Sequence, residues 1–269
     1  MLKIRDHWLR FVLAVTMIVA SIGAAWAEQA YLIADARSGV ILDAANADEA
    51  NRPASLTKMM TLYLTFEALH SGALAWDDQF PISRNAASKP PHNLGVAVGG
   101  TISTEEAVLG MIVLSANDAA VAISEHLGGT EAGFADAMTA KALQLGMPST
   151  TFRNATGLTA ENQMTTAPDM AVLGLSLMRD FPREYQLFAT QSFSFRGRIL
   201  NGHNELLKDF PGIDGIKTGY TRASGYNIVT SVAVGPRRLI GVVMGDPTAE
   251  TRDTRMADLL ERALLDPEQ

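Results

Sequence analysis

Three short strings carry side chains able to do acyl-transfer chemistry: Ser55-Leu56-Thr57-Lys58, Ser115-Ala116-Asn117 and Lys217-Thr218-Gly219. Ser55 follows Pro53 at the head of an apolar-periodic run, so Lys58 falls three residues later on the same helix face, with Cβ atoms about 5–6 Å apart. A hydroxyl and an amine so placed can serve as nucleophile and general base. The chain contains no Cys, which excludes a thiol nucleophile, a disulfide framework, thiolate-held iron–sulfur centres and Cys-containing zinc sites. The five histidines, His7, His70, His92, His126 and His203, form no metal-ligand spacing, and no glycine-rich stretch ends in the Gly-Lys-Ser/Thr of a phosphate loop. Neither a metal nor a cofactor is expected.

Singly, each string has a plainer reading. Ser55 can be a helix-start residue beside a solvated Lys58, Ser115 to Asp118 a helix cap, and Lys217-Thr218-Gly219 a strand end before a turn. Their order and their placement on three separate elements favour convergence on one cleft. The base would need help from its surroundings. A lysine of ordinary pKa is neutral at pH 7 only about once in 2,500, so using it costs about 4.6 kcal/mol. Burial and a second cation both lower that pKa, and Lys217 is the obvious second cation.

The elements that must position these residues are legible in the hydrophobic patterning. Tyr31-Leu32-Ile33 and Val40-Ile41-Leu42 predict an antiparallel hairpin. Met59, Leu62, Phe66 and Leu69 predict a buried helix from Ser55 to His70, with its Met and aromatic residues as core. Further helices are expected at Thr104 to Leu114, Asp118 to Leu127, Phe134 to Leu145 and Pro168 to Arg179. Strands follow at Ser192 to Phe195, Gly215 to Thr218, Tyr226 to Val234 and Arg238 to Met244, the last two joined by a Gly235-Pro236-Arg237 turn. A final helix, Thr248 to Leu265, carries Met256, Leu259, Leu260, Ala263 and Leu264 on one face. There is no internal repeat, low-complexity tract or charge block. Strands, helices, strands and a helix, in that order, make an α+β domain: an antiparallel sheet flanked by helices, with an inserted helical region.

The 269 residues are 47% hydrophobic and 19% charged, with a net charge of −7. Such a chain has material for one large core, and its acidic balance argues against nucleic acid as a partner. Residues 1–27 read as a secretory signal peptide: Lys3, Arg5 and Arg10, then the apolar run Phe11 to Ala20, then Ala25-Trp26-Ala27. About ten strongly apolar residues fall short of the roughly 20 needed to span a bilayer. Removal of that segment leaves 19 basic and 28 acidic residues. The expectation is an exported, periplasmic product with no stable membrane anchor, residues 28–269 forming a single catalytic domain.

The three strings resemble the known signature of penicillin-binding proteins and class A β-lactamases. Ala54-Ser55-Leu56-Thr57-Lys58-Met59-Met60-Thr61, Asn117-Asp118-Ala119, Asn154-Ala155-Thr156-Gly157-Leu158, Asp214-Gly215-Ile216-Lys217-Thr218-Gly219 and Gly225-Tyr226-Asn227 resemble the D-alanyl-D-alanine carboxypeptidases among them. The resemblance spans roughly residues 30–265 and implies the serine β-lactamase and penicillin-binding-protein transpeptidase fold. Many relatives add a C-terminal β-rich domain and an anchoring helix, neither of which is expected in this sequence.

The implied activity is removal of the terminal D-Ala from peptidoglycan stem peptides ending in D-Ala-D-Ala, with β-lactams as covalent inhibitors. Ser55 would be acylated, Lys58 its base, Ser115 a proton relay, and Asn117 a partner of Lys58 or of substrate backbone. Lys217, Thr218, Gly219, Tyr220 and Arg252 would bind substrate, with the N–H groups of Ser55 and Tyr220 facing the oxyanion. A D,D-endopeptidase, a class A-like β-lactamase and a noncatalytic β-lactam sensor remain open. The spacing fits the β-lactamase, but Glu125, Glu131, Glu161, Glu184 and Glu205 open no Glu-x-x-Asn loop.

Overall fold

The computed structural model describes residues 29–265; the signal-peptide expectation for residues 1–27 lies outside them. The expected hairpin forms from β1 (Ala30–Asp35) and β2 (Ile41–Ala45). Asp35 closes its turn by accepting from the Ser38 N–H and hydroxyl and from the Arg37 N–H. The chain then enters a helical region. A 3-10 turn, Ala54–Leu56, leads into α1 (Thr57–Ser71), so Ser55 sits in the tighter turn just ahead of the α-helix expected to begin with it. Short β3 (Gln79–Pro81) and β4 (Thr101–Ser103) pair with each other around α2 (Arg84–Ala87). The helix expected over 104–114 divides into α3 (Thr104–Leu109), with a Ser103–Glu106 capping box, and a π-helical turn, Gly110–Leu114. Next come α4 (Asn117–Gly128), α5 (Glu131–Leu145) and α6 (Ala167–Asp180).

The hairpin β5 (Ser192–Phe195) and β6 (Arg198–Asn201), then α7 (Leu206–Asp209), precede the long strands β7 (Ile213–Thr221), β8 (Gly225–Val234) and β9 (Arg237–Asp246). The chain closes with α8 (Ala249–Leu265). The main sheet is antiparallel in the order β2-β1-β9-β8-β7. The first strands thus join the last, and β7 lies at an edge.

Alternation along β8 and β9 sends neighbouring residues to opposite faces. Ile228, Val232, Leu239 and Val243 meet Met256, Leu259 and Leu260 of α8 on one side. Val229, Ile240, Val242 and Met244 face the helical core on the other, where the first half of α1 runs buried. A Cβ at Gly241 would lie 2.5 Å from the Met256 sulfur, and one at Gly174 2.5 Å from Ile240 Cδ1. The absent side chains let α8 and α6 press close to opposite faces of the sheet.

The tightest backbone approach involves Gly157, at φ +84°, where a Cβ would fall 1.7 Å from the Ala54 carbonyl oxygen. Neither backbone can yield without moving the turn that carries Ser55. Gly157→Ala should therefore lose about 2 kcal/mol or more, a fall in Tm of about 4–8 °C for a chain this size. Gly146→Ala, also left-handed (φ +88°) but with nothing within 4 Å, should cost only about 1 kcal/mol. Thermal unfolding of the two variants measures the contrast.

Candidate active site

Ser55 and Lys58 lie one turn apart, as their spacing requires, but α1 alone does not fix the lysine. Lys58 is fully buried. Its Nζ donates to Asn117 Oδ1 at 2.7 Å and to the Thr156 carbonyl at 2.7 Å, and lies 3.1 Å from half-buried Ser55 Oγ. A neutral amine has two N–H bonds and one lone pair. Two good acceptors and one hydroxyl match that inventory. Burial, reinforced by the Lys217 charge, holds the Lys58 pKa well below its ordinary value.

Asn117 opens α4 with its amide orientation set from both ends. Its Nδ2 donates to the Pro90 carbonyl at 3.0 Å while Oδ1 faces Lys58, and its backbone N–H donates to the His92 carbonyl at 2.7 Å. Of the two partners expected for it, Lys58 is the one that Oδ1 meets in this structure. Ser115 precedes it in a left-handed conformation, φ 60°, at the end of the π-helical turn. That conformation is uncommon for a residue with a side chain. It leaves the Ser115 Oγ buried and without a hydrogen-bond partner among the described residues.

On the opposite wall, β7 brings in Lys217, Thr218, Gly219 and Tyr220. A Cβ on Gly219 would sit 2.9 Å from the Ser55 nitrogen and 3.2 Å from that of Leu56. Only a glycine backbone can pass the Ser55 turn this closely, which accounts for the last residue of the Lys-Thr-Gly string. Tyr220 follows at once and stacks on Tyr226, ring centroids 4.2 Å apart. Lys217 is buried and donates to the Thr218 carbonyl at 2.9 Å. Burial and the nearby Arg252 charge push its pKa down to about 7. The buried Arg252 guanidinium donates through Nε and Nη2 to Asp253, at 2.9 Å each.

Ser55, Ser115, Asn117, Thr218, Tyr220 and Arg252 line one cleft of about 370 Å³, Gly219 with them. Lys217 borders a smaller adjoining cavity that shares Ser115 and Thr218. The expected residues thus converge. Several participants were not legible as such. The Asn154-to-Leu158 string has no reactive role, yet Asn154 Oδ1 accepts from the Thr156 and Gly157 N–H groups and so presents the Thr156 carbonyl to Lys58. Asn227 donates to the Arg52 and Pro53 carbonyls and fixes the approach to Ser55. Asp253 became visible only as the neighbour that grips Arg252. His92 and His203, which have no metal spacing in sequence, both border the cleft.

Residues 17–248 match the peptidase S11 family, described as D-alanyl-D-alanine carboxypeptidase. The chain belongs to this family. It is 37% identical over 238 residues to the D-alanyl-D-alanine carboxypeptidase DacA of Haemophilus influenzae, covering 87% of this chain and 61% of that protein. Among solved structures it is similar to the D-alanyl-D-alanine carboxypeptidase DacD of Francisella tularensis (TM-score 0.84, 33% identity, 88% of this chain, 70% of that one). It is also similar to penicillin-binding protein D2 of Listeria monocytogenes in its cefotaxime-bound form (TM-score 0.81, 31% identity, 87% and 96%). The chain spans about 60% of the length of the curated relatives it matches first. The transpeptidase fold of this S11 chain is that of its penicillin-binding neighbours. Among the described residues no helix is long and apolar enough to cross a membrane.

A family site that buries two lysines opposes folding near neutral pH. Lys217 is protonated at its ordinary value of 10.5 when unfolded but only below about 7 when folded. The unfolded state therefore binds more protons between those values, and stability rises with pH across them. The stability at stake is roughly 4 kcal/mol, present above about pH 10.5 and lost as the pH falls to 7. Lys217→Met should accordingly be more stable than the wild type at pH 7, by an advantage that shrinks towards pH 10. Urea unfolding of both proteins at pH 7 and pH 9.5 tests the sign and the trend.

Proposed function

We propose that this chain is a serine D,D-carboxypeptidase that removes the terminal D-Ala from peptidoglycan stem peptides ending in D-Ala-D-Ala. The observation that carries the reading is the Lys58 amine, buried between Asn117 Oδ1 and the Thr156 carbonyl and facing Ser55 Oγ at 3.1 Å. It is a base whose neutral form the surroundings favour, in contact with the Ser55 hydroxyl on the turn that leads into α1.

The cycle follows from the groups present. Neutral Lys58 accepts the Ser55 proton as Oγ attacks the carbonyl carbon of the penultimate D-Ala. The oxyanion sits against the N–H groups of Ser55 and Tyr220, the first at the positive end of α1. Collapse breaks the amide bond. The departing amine takes the proton from Lys58, directly or by way of Lys217, through Ser115, whose hydroxyl has no hydrogen-bond partner among the described residues. Lys217, Thr218 and Arg252 hold the terminal carboxylate. As an edge strand, β7 has backbone groups facing away from β8, which an extended peptide can pair with. Water then attacks the Ser55 ester, Lys58 takes its proton and returns it to Ser55 Oγ as the ester bond breaks, and the shortened peptide leaves. No cofactor takes part. Residues 1–27 would direct export to the periplasm, where the substrate lies.

A class A-like β-lactamase would need a carboxylate to activate water on the acyl-enzyme. None of the glutamates between Asn117 and Lys217 lines the cleft; Glu131 pairs with Lys89 and Glu184 with His70. The penicilloyl ester on Ser55 should therefore persist, while a stem pentapeptide loses D-Ala catalytically because the departing residue vacates the site for water. Protein mass after incubation with penicillin, and free D-Ala after incubation with pentapeptide, measure the two fates. Fast penicillin turnover without D-Ala release would indicate the β-lactamase. A stable adduct with no D-Ala release would indicate a sensor or a cross-link endopeptidase.

Two variants examine the roles. Ser55→Ala should abolish covalent labelling by a fluorescent penicillin in a folded protein. Lys58→Arg keeps the charge but cannot lose its proton near neutrality, so acylation should fall by orders of magnitude. Retained labelling in the first, or near-normal acylation in the second, contradicts the assignment.

A further inference from the structure

Two histidines with no role in the reaction meet at the mouth of the cleft. The rings of His92 and His203 make an edge contact, centroids 4.5 Å apart and planes at 76°, and both border the cleft that contains Ser55 and Ser115. They come from opposite rims. His92 belongs to the loop before β4, and that loop is clamped to the start of α4. Asn117 bonds the Pro90 and His92 carbonyls, and the Asp118 carboxylate accepts from the Leu94 and Gly95 N–H groups at 2.9 and 3.0 Å.

His203 follows the β5–β6 hairpin. Arg198 of that hairpin donates to the Leu94 carbonyl at 3.0 Å, which ties the second rim to the first. The arch is therefore rigid at both feet. The buried Ser115 hydroxyl, without a hydrogen-bond partner among the described residues, lines the same cleft, and His203 also borders the adjoining cavity that contains Ser115, Lys217 and Thr218. These are the groups assigned above to the leaving amine and its carboxylate, so the arch stands on the leaving-group side of Ser55.

We propose that the His92–His203 pair is the specificity-determining wall of that side, admitting a small terminal residue with a free carboxylate and excluding a bulky or peptide-extended leaving group. The inference rests on the carboxypeptidase reading and narrows its substrate class to uncross-linked stem peptides with a small C-terminal D-residue. Partial burial, reinforced by the nearby Lys217 charge, holds both imidazole pKa values below the ordinary histidine value. At neutral pH the wall is thus uncharged and acts by shape.

The test compares kcat/KM for two synthetic stem pentapeptides, one ending in D-Ala-D-Ala and one in D-Ala-D-Phe, and cleavage of a cross-linked muropeptide dimer. It uses the full chain as wild type, His92→Ala, His203→Ala and His203→Phe, each checked by thermal unfolding. The D-Phe to D-Ala ratio should rise about tenfold or more in either alanine variant, with new cleavage of the dimer, and stay at or below the wild-type ratio in His203→Phe, which keeps a ring in place. If His203→Ala does not fold, His92→Ala decides. A ratio within twofold of wild type in a folded alanine variant, from a wild type that does release D-Ala, overturns the wall alone. A wild type that takes up penicillin on Ser55 but releases neither residue overturns the carboxypeptidase reading and the wall with it.

Discussion

An amine buried with no carboxylate bonded to it among the described residues is the constraint around which this molecule is arranged. A charged lysine out of water needs a counter-ion, and a neutral one needs acceptors for two N–H groups. The structure supplies the second environment. The nearest carboxylate in sequence to the Asn117 contact is Asp118, and its oxygens are occupied by the N–H groups of Leu94, Gly95 and Ala119. It holds a loop in place, and its charge, felt at Lys58 without direct contact, only partly offsets the lowering by burial and Lys217, while the neutral oxygens of Asn117, Thr156 and Ser55 surround the amine.

Meeting that requirement draws in four distant segments. The Asn154 side chain shapes the loop that presents the Thr156 carbonyl, and Thr61 of α1 donates to the adjacent Ala155 carbonyl at 2.8 Å, pinning the loop to the helix that carries Lys58. Asn227 of β8 holds the chain before Ser55, and Gly157 and Gly219 let two further backbones approach it. Each contact is a hydrogen bond or a steric allowance made by a residue that performs no chemistry. The strained backbone at Ser115 fits the same pattern: a cost accepted where a side chain must point into a cleft.

The electrostatics show why net charge is a poor guide to a site. A chain of net charge −7 places Lys58, Lys217 and Arg252 close enough that each depresses or is depressed by another. Asp253 offsets one of those charges by gripping Arg252. A local cluster of cations, little solvated, outweighs a diffuse and well-solvated acidic surface.

Local information went a long way. Hydrophobic periodicity located the first hairpin, α1, α4 to α6, the three long strands and α8, because each buries one face or both and must repeat accordingly. The Ser-x-x-Lys, Ser-x-Asn and Lys-Thr-Gly strings carried the candidate chemistry, because reactive residue types at fixed spacing are a property of the chain itself. The three-residue strands β3 and β4 were illegible, being too short to show a period. So were the π-helical turn before Ser115 and the 3-10 turn at Ser55, which are small adjustments of helices whose pattern hardly changes. Only tertiary structure decided that β1 pairs with β9, that Asn117 turns its oxygen to Lys58, that Asp253 grips Arg252, and that His92 meets His203 across 110 intervening positions. Those outcomes depend on which surfaces meet when the whole core closes, and a sequence pattern records what each segment must bury but not what it will touch.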